Sequence, residues 1–241
     1  MRITTLNLRG FFDWDARSPQ ILEYLQELAP DVILFQEVVF LPDVSPFSPV
    51  ELLNRELRMP VRHEAITRLQ RGRTHPVYRE GLALLSKARV DATQTLALRH
   101  EDGDPHQRIV QLADVRADDG VWPLANVHLS VRDDFALHHL GEVLEILGEK
   151  EERRILGGDF NVDHLERHAG LWHDAVLTSS VARYQSHPSS HENDDYFLVP
   201  TEYRIDRVLV SGDHLSDHEA VTVDLTRVAQ PPSGERSAAS S

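Results

Sequence analysis

Six short stretches end apolar runs with an acid, an amide or an imidazole. They are Asn7 in TTLNLRG, Glu37 in ILFQEVV, His128 in LANVHLS, Asp159 with Asn161 in ILGGDFN, Asp206 in YRIDRVLVS, and Asp217 with His218 in LSDHEAV. Carboxylate and amide oxygens suit hard divalent cations, and an imidazole beside a carboxylate suits proton handling or phosphate binding. Strand ends are where a rigid sheet presents such groups to a ligand. The set has what phosphoryl transfer asks for, namely an oriented nucleophile and compensation for charge on phosphate oxygens.

Each residue also has a plainer role. An Asn or His at a strand end is commonly a turn former. Glu37 follows Val32-Ile33-Leu34-Phe35, so its carboxylate needs a cation or a strong donor to offset desolvation, and a salt bridge would meet that need as well as a metal. Gly157-Gly158-Asp159 could be an ordinary turn, or glycines that allow a close approach or a positive-φ bend. Asp217-His218, read with Asp206, supplies a histidine and a carboxylate to orient it, although SDH also occurs as an Asx-capped turn. Among the 14 histidines, His138, His139, His164, His168, His173, His187 and His191 read as surface residues, and Asp163 as a helix-capping acid.

The elements that would position these groups follow from periodicity. Arg2 to Leu8 alternates as a strand and Asp31 to Val39 holds a buried strand. Between them a helix is expected to start at Ser18-Pro19, show an Ile21, Leu22, Leu25, Leu28 stripe and stop at Pro30. Ser48-Pro49-Val50-Glu51 announces a second helix to about Arg58. Strand-like segments at 62–67, 81–86, 92–98, 108–116 and 121–130 read as a β-meander. Helical spacing returns from Asp133 to Glu149, then a strand at 154–157, a helix around 165–176, a polar loop from Ser179 to Asp195, and strands at 203–210 and 220–228. The fold class is α/β, a layered sandwich with sheets inside. Residues 1–228 form one domain, and the Pro/Ser/Ala-rich segment 229–241 reads as a disordered tail.

Composition bounds the function. A net charge of −14 argues against coating nucleic acid by bulk electrostatics and suits a site that collects cations. With no cysteine, any metal must rest on oxygen or imidazole ligands. The start of the chain has no signal-peptide pattern and no stretch is apolar enough to span a membrane, so the expected location is cytoplasmic.

Taken in order, these motifs resemble the endonuclease/exonuclease/phosphatase family of metal-dependent phosphoesterases, over roughly Arg2 to Asp224. GGDFN is the most specific piece, and NLR or SDH alone says little. The resemblance implies a four-layer α/β sandwich with two central β-sheets flanked by helices. By motif it implies Glu37 as the principal Mg²⁺ carboxylate, with Mn²⁺ also possible, Asn7 as the amide that organises metal and phosphate, and Asp217 as an acid close to the metal. Asp159 would orient or deprotonate the attacking water, with Asn161 on the phosphate. His218 and His128 would engage the scissile phosphate, and Asp206 would orient His218. One departure stands out: many relatives have an aromatic directly after the late-strand acid, where this chain has Arg207. That, with no tryptophan-rich context, argues against abasic-site DNA as substrate.

Arg62, Arg68, Arg71, Arg73 and Arg79 form the densest basic run, and Arg71, Arg73, Arg79 and Tyr78 are candidates for gripping a substrate phosphate or for a solvated hairpin turn. Three functions follow: hydrolysis of a small or lipid-derived phosphoester, favoured by the acidic charge; a nuclease or nucleic-acid end-processing enzyme; and a binding module of the same fold. The last normally loses catalytic side chains, whereas here every expected position is filled.

Overall fold

The computed structural model describes residues 1–70, 78–104, 106–212 and 214–228. The expected tail from 229 onward, and Arg71 and Arg73, lie outside the described residues.

The chain opens with β1 (Arg2–Asn7), α1 (Trp14–Leu28), β2 (Val32–Phe40) and α2 (Pro49–Leu57). Helix α1 starts a turn before the expected Ser18-Pro19 and carries Pro19 inside it. Buried Arg17 secures this extra turn: its guanidinium donates to the carbonyls of Leu8, at 3.0 Å, and Leu215, at 3.1 Å, and to that of Phe12. Helix α2 begins as the sequence predicts, with Ser48 Oγ accepting from the Glu51 N–H at 3.0 Å and Pro49 at the first helical position.

Next come β3 (Val61–Gln70), β4 (Tyr78–Ser86), β5 (Arg89–Ala97), β6 (Ile109–Ala117) and β7 (Gly120–His128). They are not one meander. β3 and β4 join a six-stranded sheet ordered β11 (Tyr203–Val210), β12 (Val221–Arg227), β1, β2, β4, β3, and β5 to β7 belong to a second, ordered β5, β6, β7, β8 (Ile155–Asp159), β10 (Asp195–Pro200), β9 (Ala175–Leu177). The short link Lys87-Ala88 therefore changes sheets, which period-2 patterning cannot reveal.

Helix α3 (Asp133–Glu149) leads into β8 (Ile155–Asp159). The helix expected around 165–176 is a 3-10 turn over Leu165–Leu171 followed by β9 (Ala175–Leu177). The polar loop ends in a further strand, β10 (Asp195–Pro200), before β11 (Tyr203–Val210) and β12 (Val221–Arg227).

Three apolar clusters give the layers. Ile21, Leu25, Val50 and Leu53 pack helices α1 and α2 on Leu6, Ile33 and Phe35. Ile3, Leu34 and Leu84 meet Val115, Leu124 and Phe197 between the sheets. Ala136, Leu140 and Val143 pack α3 on Leu112, Val127 and Leu156. The result is the expected four-layer α/β sandwich, two mixed six-stranded sheets flanked by helices. Toward the functional end its interior turns polar. Asn126 accepts from Gln36 at 2.8 Å and donates to the carbonyls of Phe35 and Ala83 and to Gln111, while Thr5 donates to Gln36. Among the described residues no helix is long and apolar enough to cross a membrane.

Candidate active site

The site forms where β1, β2, β7, β8 and β10 end together. Asp159 is its centre. In register, it lies opposite His128 on parallel β7 and Asp195 on antiparallel β10. The two glycines before it are there for space: a Cβ on Gly157 would meet the Phe197 ring at 2.4 Å, and one on Gly158, whose φ is +143°, would meet the Val127 carbonyl oxygen at 2.1 Å. Asp159 Oδ1 accepts from the Asn161 N–H at 3.0 Å, and Asn161 donates its amide to the Leu129 carbonyl at 3.1 Å from a left-handed backbone, φ 51°.

Asp159 Oδ2 is where the sheets meet. Asn7 Nδ2 donates to it at 2.9 Å, His128 Nε2 lies 3.6 Å away and His218 Nε2 3.9 Å. Asn7 Nδ2 also reaches Glu37 Oε1 at 3.4 Å, and Asn7 Oδ1 accepts from the Arg9 N–H at 3.0 Å. Burial pushes the Asp159 carboxyl up to about 6, with the His218 charge opposing the rise and Asp195 adding to it.

Glu37 sits on a β-bulge between Phe35 and Val38, with φ 50°. Its carboxyl is raised to about 7, first by burial and then by the charges of Glu80 and Asp159. Glu80, buried on β4 opposite Val39, was not singled out from the sequence. Its signal is an acid that opens the apolar run Gly81 to Leu85 in the middle of a strand. Such an excess of negative charge on carboxylate oxygens fits a hard divalent cation at Glu37, with Glu80 beside it. Asp217 is near enough to contribute to the Glu37 shift, yet its own oxygens meet Arg9 Nε at 3.0 Å and the Ser216 hydroxyl at 2.9 Å. Among the described residues, two groups bring three potential ligand atoms within 4.8 Å, Asp159, Asp195 and His218, and His187, Asp194 and His218, and neither includes Glu37. In both, an imidazole is already paired with a carboxylate, at 2.8 Å for His218 and Asp195 and 3.1 Å for His187 and Asp194.

The structure corrects the partner of His218. Its Nδ1 meets Asp195 Oδ2 at 2.8 Å, both residues being buried. Asp206 instead faces outward on β11, where Arg204 donates to it at 2.6 Å and Thr226 at 2.5 Å. A bulge between Ile205 and Arg207 accompanies that placement. The missed signal was legible: Asp195 is followed by Tyr196, the aromatic absent after Asp206. It was hidden because Asp195 closes a polar stretch. The Ser186 hydroxyl accepts from the Asp194 and Asp195 N–H groups at 3.0 and 2.9 Å, drawing that stretch into the strand. Burial alone would lower the His218 pKa, but the charges of Asp195 and Asp159 carry it well above 6.5, which favours the protonated ring.

Other expectations also change. His187 is not a plain surface residue, since its ring stacks on that of His218. His139 is buried, with Nε2 at 3.1 Å from the Arg99 carbonyl oxygen. Asp163 caps no helix but accepts from the Asn193 N–H at 3.1 Å. Of the candidate phosphate grips, Tyr78 and Arg79 begin β4 on the strand that carries Glu80, and Arg79 is exposed.

The sequence profile of the Endonuclease/Exonuclease/phosphatase family matches residues 4–228. No curated protein matches the chain. Among solved structures it is similar to an endonuclease/exonuclease/phosphatase from Beutenbergia cavernae DSM 12333, with TM-score 0.78 and 18% identity over 94% of this chain and 71% of that one. It is also similar to the human Nocturnin catalytic domain with bound sulfate, at TM-score 0.70 and 15% identity over 95% and 94%. D. rerio TDP2 complexed with single strand DNA product gives TM-score 0.67 and 18% identity over 94% and 98%. These likenesses concern the fold, whereas the profile match runs from within β1 to the end of β12 and takes in every residue of the site. The chain belongs to the Endonuclease/Exonuclease/phosphatase family, and is an enzyme of its metal-dependent phosphoesterase and nuclease class.

Proposed function

We propose that residues 1–228 act as one catalytic domain that hydrolyses a small or lipid-derived phosphoester by in-line attack of water, with Mg²⁺ or Mn²⁺ as the cation. The observation that carries this reading is the convergence on Asp159 Oδ2 of Asn7 at 2.9 Å, His128 at 3.6 Å and His218 at 3.9 Å, next to an electron-rich Glu37.

A bound divalent cation would supply charge compensation at the phosphate oxygens. Glu37 would hold it, with Asn7 and Glu80 adjacent and Asp217 further out. Asp159, anchored by Asn7 and by the Asn161 N–H, orients the water and accepts its proton, a task suited to a carboxyl raised to about 6. His218, kept cationic by Asp195, and His128 donate to the phosphoryl oxygens. The net charge of −14 favours a small substrate over a polyanion.

A second reading, a nuclease or end-processing enzyme, draws on the likeness to D. rerio TDP2 complexed with single strand DNA product and on the arginine run. The deciding experiment is an activity screen over nucleic acid, phospholipid, inositol phosphate and nucleotide substrates with Mg²⁺ and Mn²⁺, using Asp159→Asn as the control. Equal activity in that variant would refute the mechanism. Steep salt dependence, together with weakened binding on neutralising Arg71 and Arg73, would favour the nuclease.

A further inference from the structure

The segment before β10 carries His187, whose ring lies on that of His218 with centroids 4.6 Å apart and planes within 14° of parallel. His187 Nδ1 meets Asp194 Oδ2 at 3.1 Å, just as His218 Nδ1 meets Asp195 Oδ2 at 2.8 Å. Two consecutive acids therefore hold two stacked imidazoles by the same ring nitrogen. The backbone fixes this arrangement: the His187 N–H donates to the Glu192 carbonyl at 3.0 Å, and the Glu219 N–H to that of Ser186 at 2.6 Å. With Nδ1 committed to a carboxylate, Nε2 is the atom left for a ligand. His187 is also the outer of the two rings, its side chain 24% exposed against 8% for His218.

A metal is a poor occupant. Imidazole nitrogens bind one at about 2 Å, which needs lone pairs aimed at a common point, and stacked rings aim theirs side by side. Parallel N–H donors instead suit neighbouring oxygens of one phosphoryl group, and a ring protonated on both nitrogens would give Nδ1–H to its carboxylate and Nε2–H to the phosphate.

We propose that His187 is a third phosphate-binding histidine of this site, donating from Nε2 to a phosphoryl oxygen beside the one that His218 engages, with Asp194 as its positioning residue. This rests on the phosphoesterase reading and extends the grip on the phosphoryl group from His128 and His218 to the mouth of the site.

The test compares wild type with His187→Phe, which keeps a stacked ring without a donor, and His187→Gln, which restores an amide donor near Nε2. Two readouts are taken, kcat on the substrate found by screening and inorganic phosphate binding by titration calorimetry with Mg²⁺ present. His187→Phe is expected to lower kcat and phosphate affinity about tenfold or more, the modest end of the effect of one preorganised donor given its partial exposure. His187→Gln is expected to recover part of both. Wild-type kcat and phosphate affinity in His187→Phe would overturn the proposal, reducing His187 to packing for His218. Phosphate binding that depends on His187 in a wild type that hydrolyses nothing would instead uphold His187 and refute the phosphoesterase reading.

Discussion

Glu37 offers a test that does not need the substrate. Burial and the neighbouring charges of Glu80 and Asp159 raise its carboxyl from 4.5 to about 7. The folded protein therefore holds that proton more tightly than the unfolded chain, and stability falls as pH rises from about 4.5 through about 7. Such a rise corresponds to about 3 kcal/mol, and the part of the side chain that still meets solvent reduces it to about 2 kcal/mol. Glu37→Gln removes the buried charge and keeps the shape. In EDTA at pH 8 the variant should melt about 4–8 °C above wild type, and at pH 4.5, where residue 37 is uncharged in both folded proteins, the difference should nearly vanish. Added Mg²⁺ should reverse the order at pH 8 by stabilising wild type and leaving the variant unmoved. Scanning calorimetry over pH, with and without Mg²⁺, reads all three. Equal melting of both proteins in EDTA at pH 8, or equal gains with Mg²⁺, would refute Glu37 as a charge stranded without its cation.

Asp195→Asn should lower kcat on the order of 10²–10⁴-fold by releasing the His218 ring, while Asp206→Asn, on the outer face of β11, should stay within about twofold, as steady-state kinetics would show. The pH profile of kcat/KM should rise through about 6 as Asp159 loses its proton, then fall above the raised pKa of His218, and a flat acid limb would exclude Asp159 as base. Asn126→Leu removes the bonds that Gln36, Gln111 and the Phe35 and Ala83 carbonyls make to the Asn126 amide, and should cost about 2–4 kcal/mol in urea unfolding. Ser48→Ala should cost about 1 kcal/mol by the same measurement, through loss of the bond from the Glu51 N–H.

Much of this was legible because strand-end chemistry survives in one dimension. Asn7, Glu37, His128 and Asp159 each close or interrupt an apolar run, and periodicity places those runs well enough to find them. Reading failed where local polarity concealed burial. Asp195 stands at the end of a stretch rich in Ser, His, Glu, Asn and Asp, yet it is wholly buried, its Oδ2 meeting His218 and its N–H the Ser186 hydroxyl. Asp206 showed the opposite error, an acid inside a good strand pattern that faces solvent. His187 was unreadable for another reason: stacking on His218 joins residues 31 apart, and no spacing rule reports that. The division of β3 to β7 between two sheets was equally silent, since alternation gives strand existence and not strand partners.

Register explains how so few residues make a site. In the second sheet, His128, Asp159 and Asp195 lie opposite one another across three adjacent strands, so one row of the ladder delivers three groups. A slip of one residue on β8 would turn Asp159 to the opposite face. The first sheet has a harder problem. Asn7 pairs with Gln36, and Gln36 points between the sheets to Asn126, so simple alternation would send Glu37 to the helix-covered face. The bulge resolves it: β2 fits Gln36 and Glu37 between Phe35 and Val38, whereas β4 fits only Leu82 between Ala83 and Gly81. The extra residue takes φ 50°, a conformation with a steric cost for a side chain larger than glycine, and it re-aims the carboxylate toward Asn7. The departure from regular strand geometry at Glu37 is thus what lets the two sheets share one site.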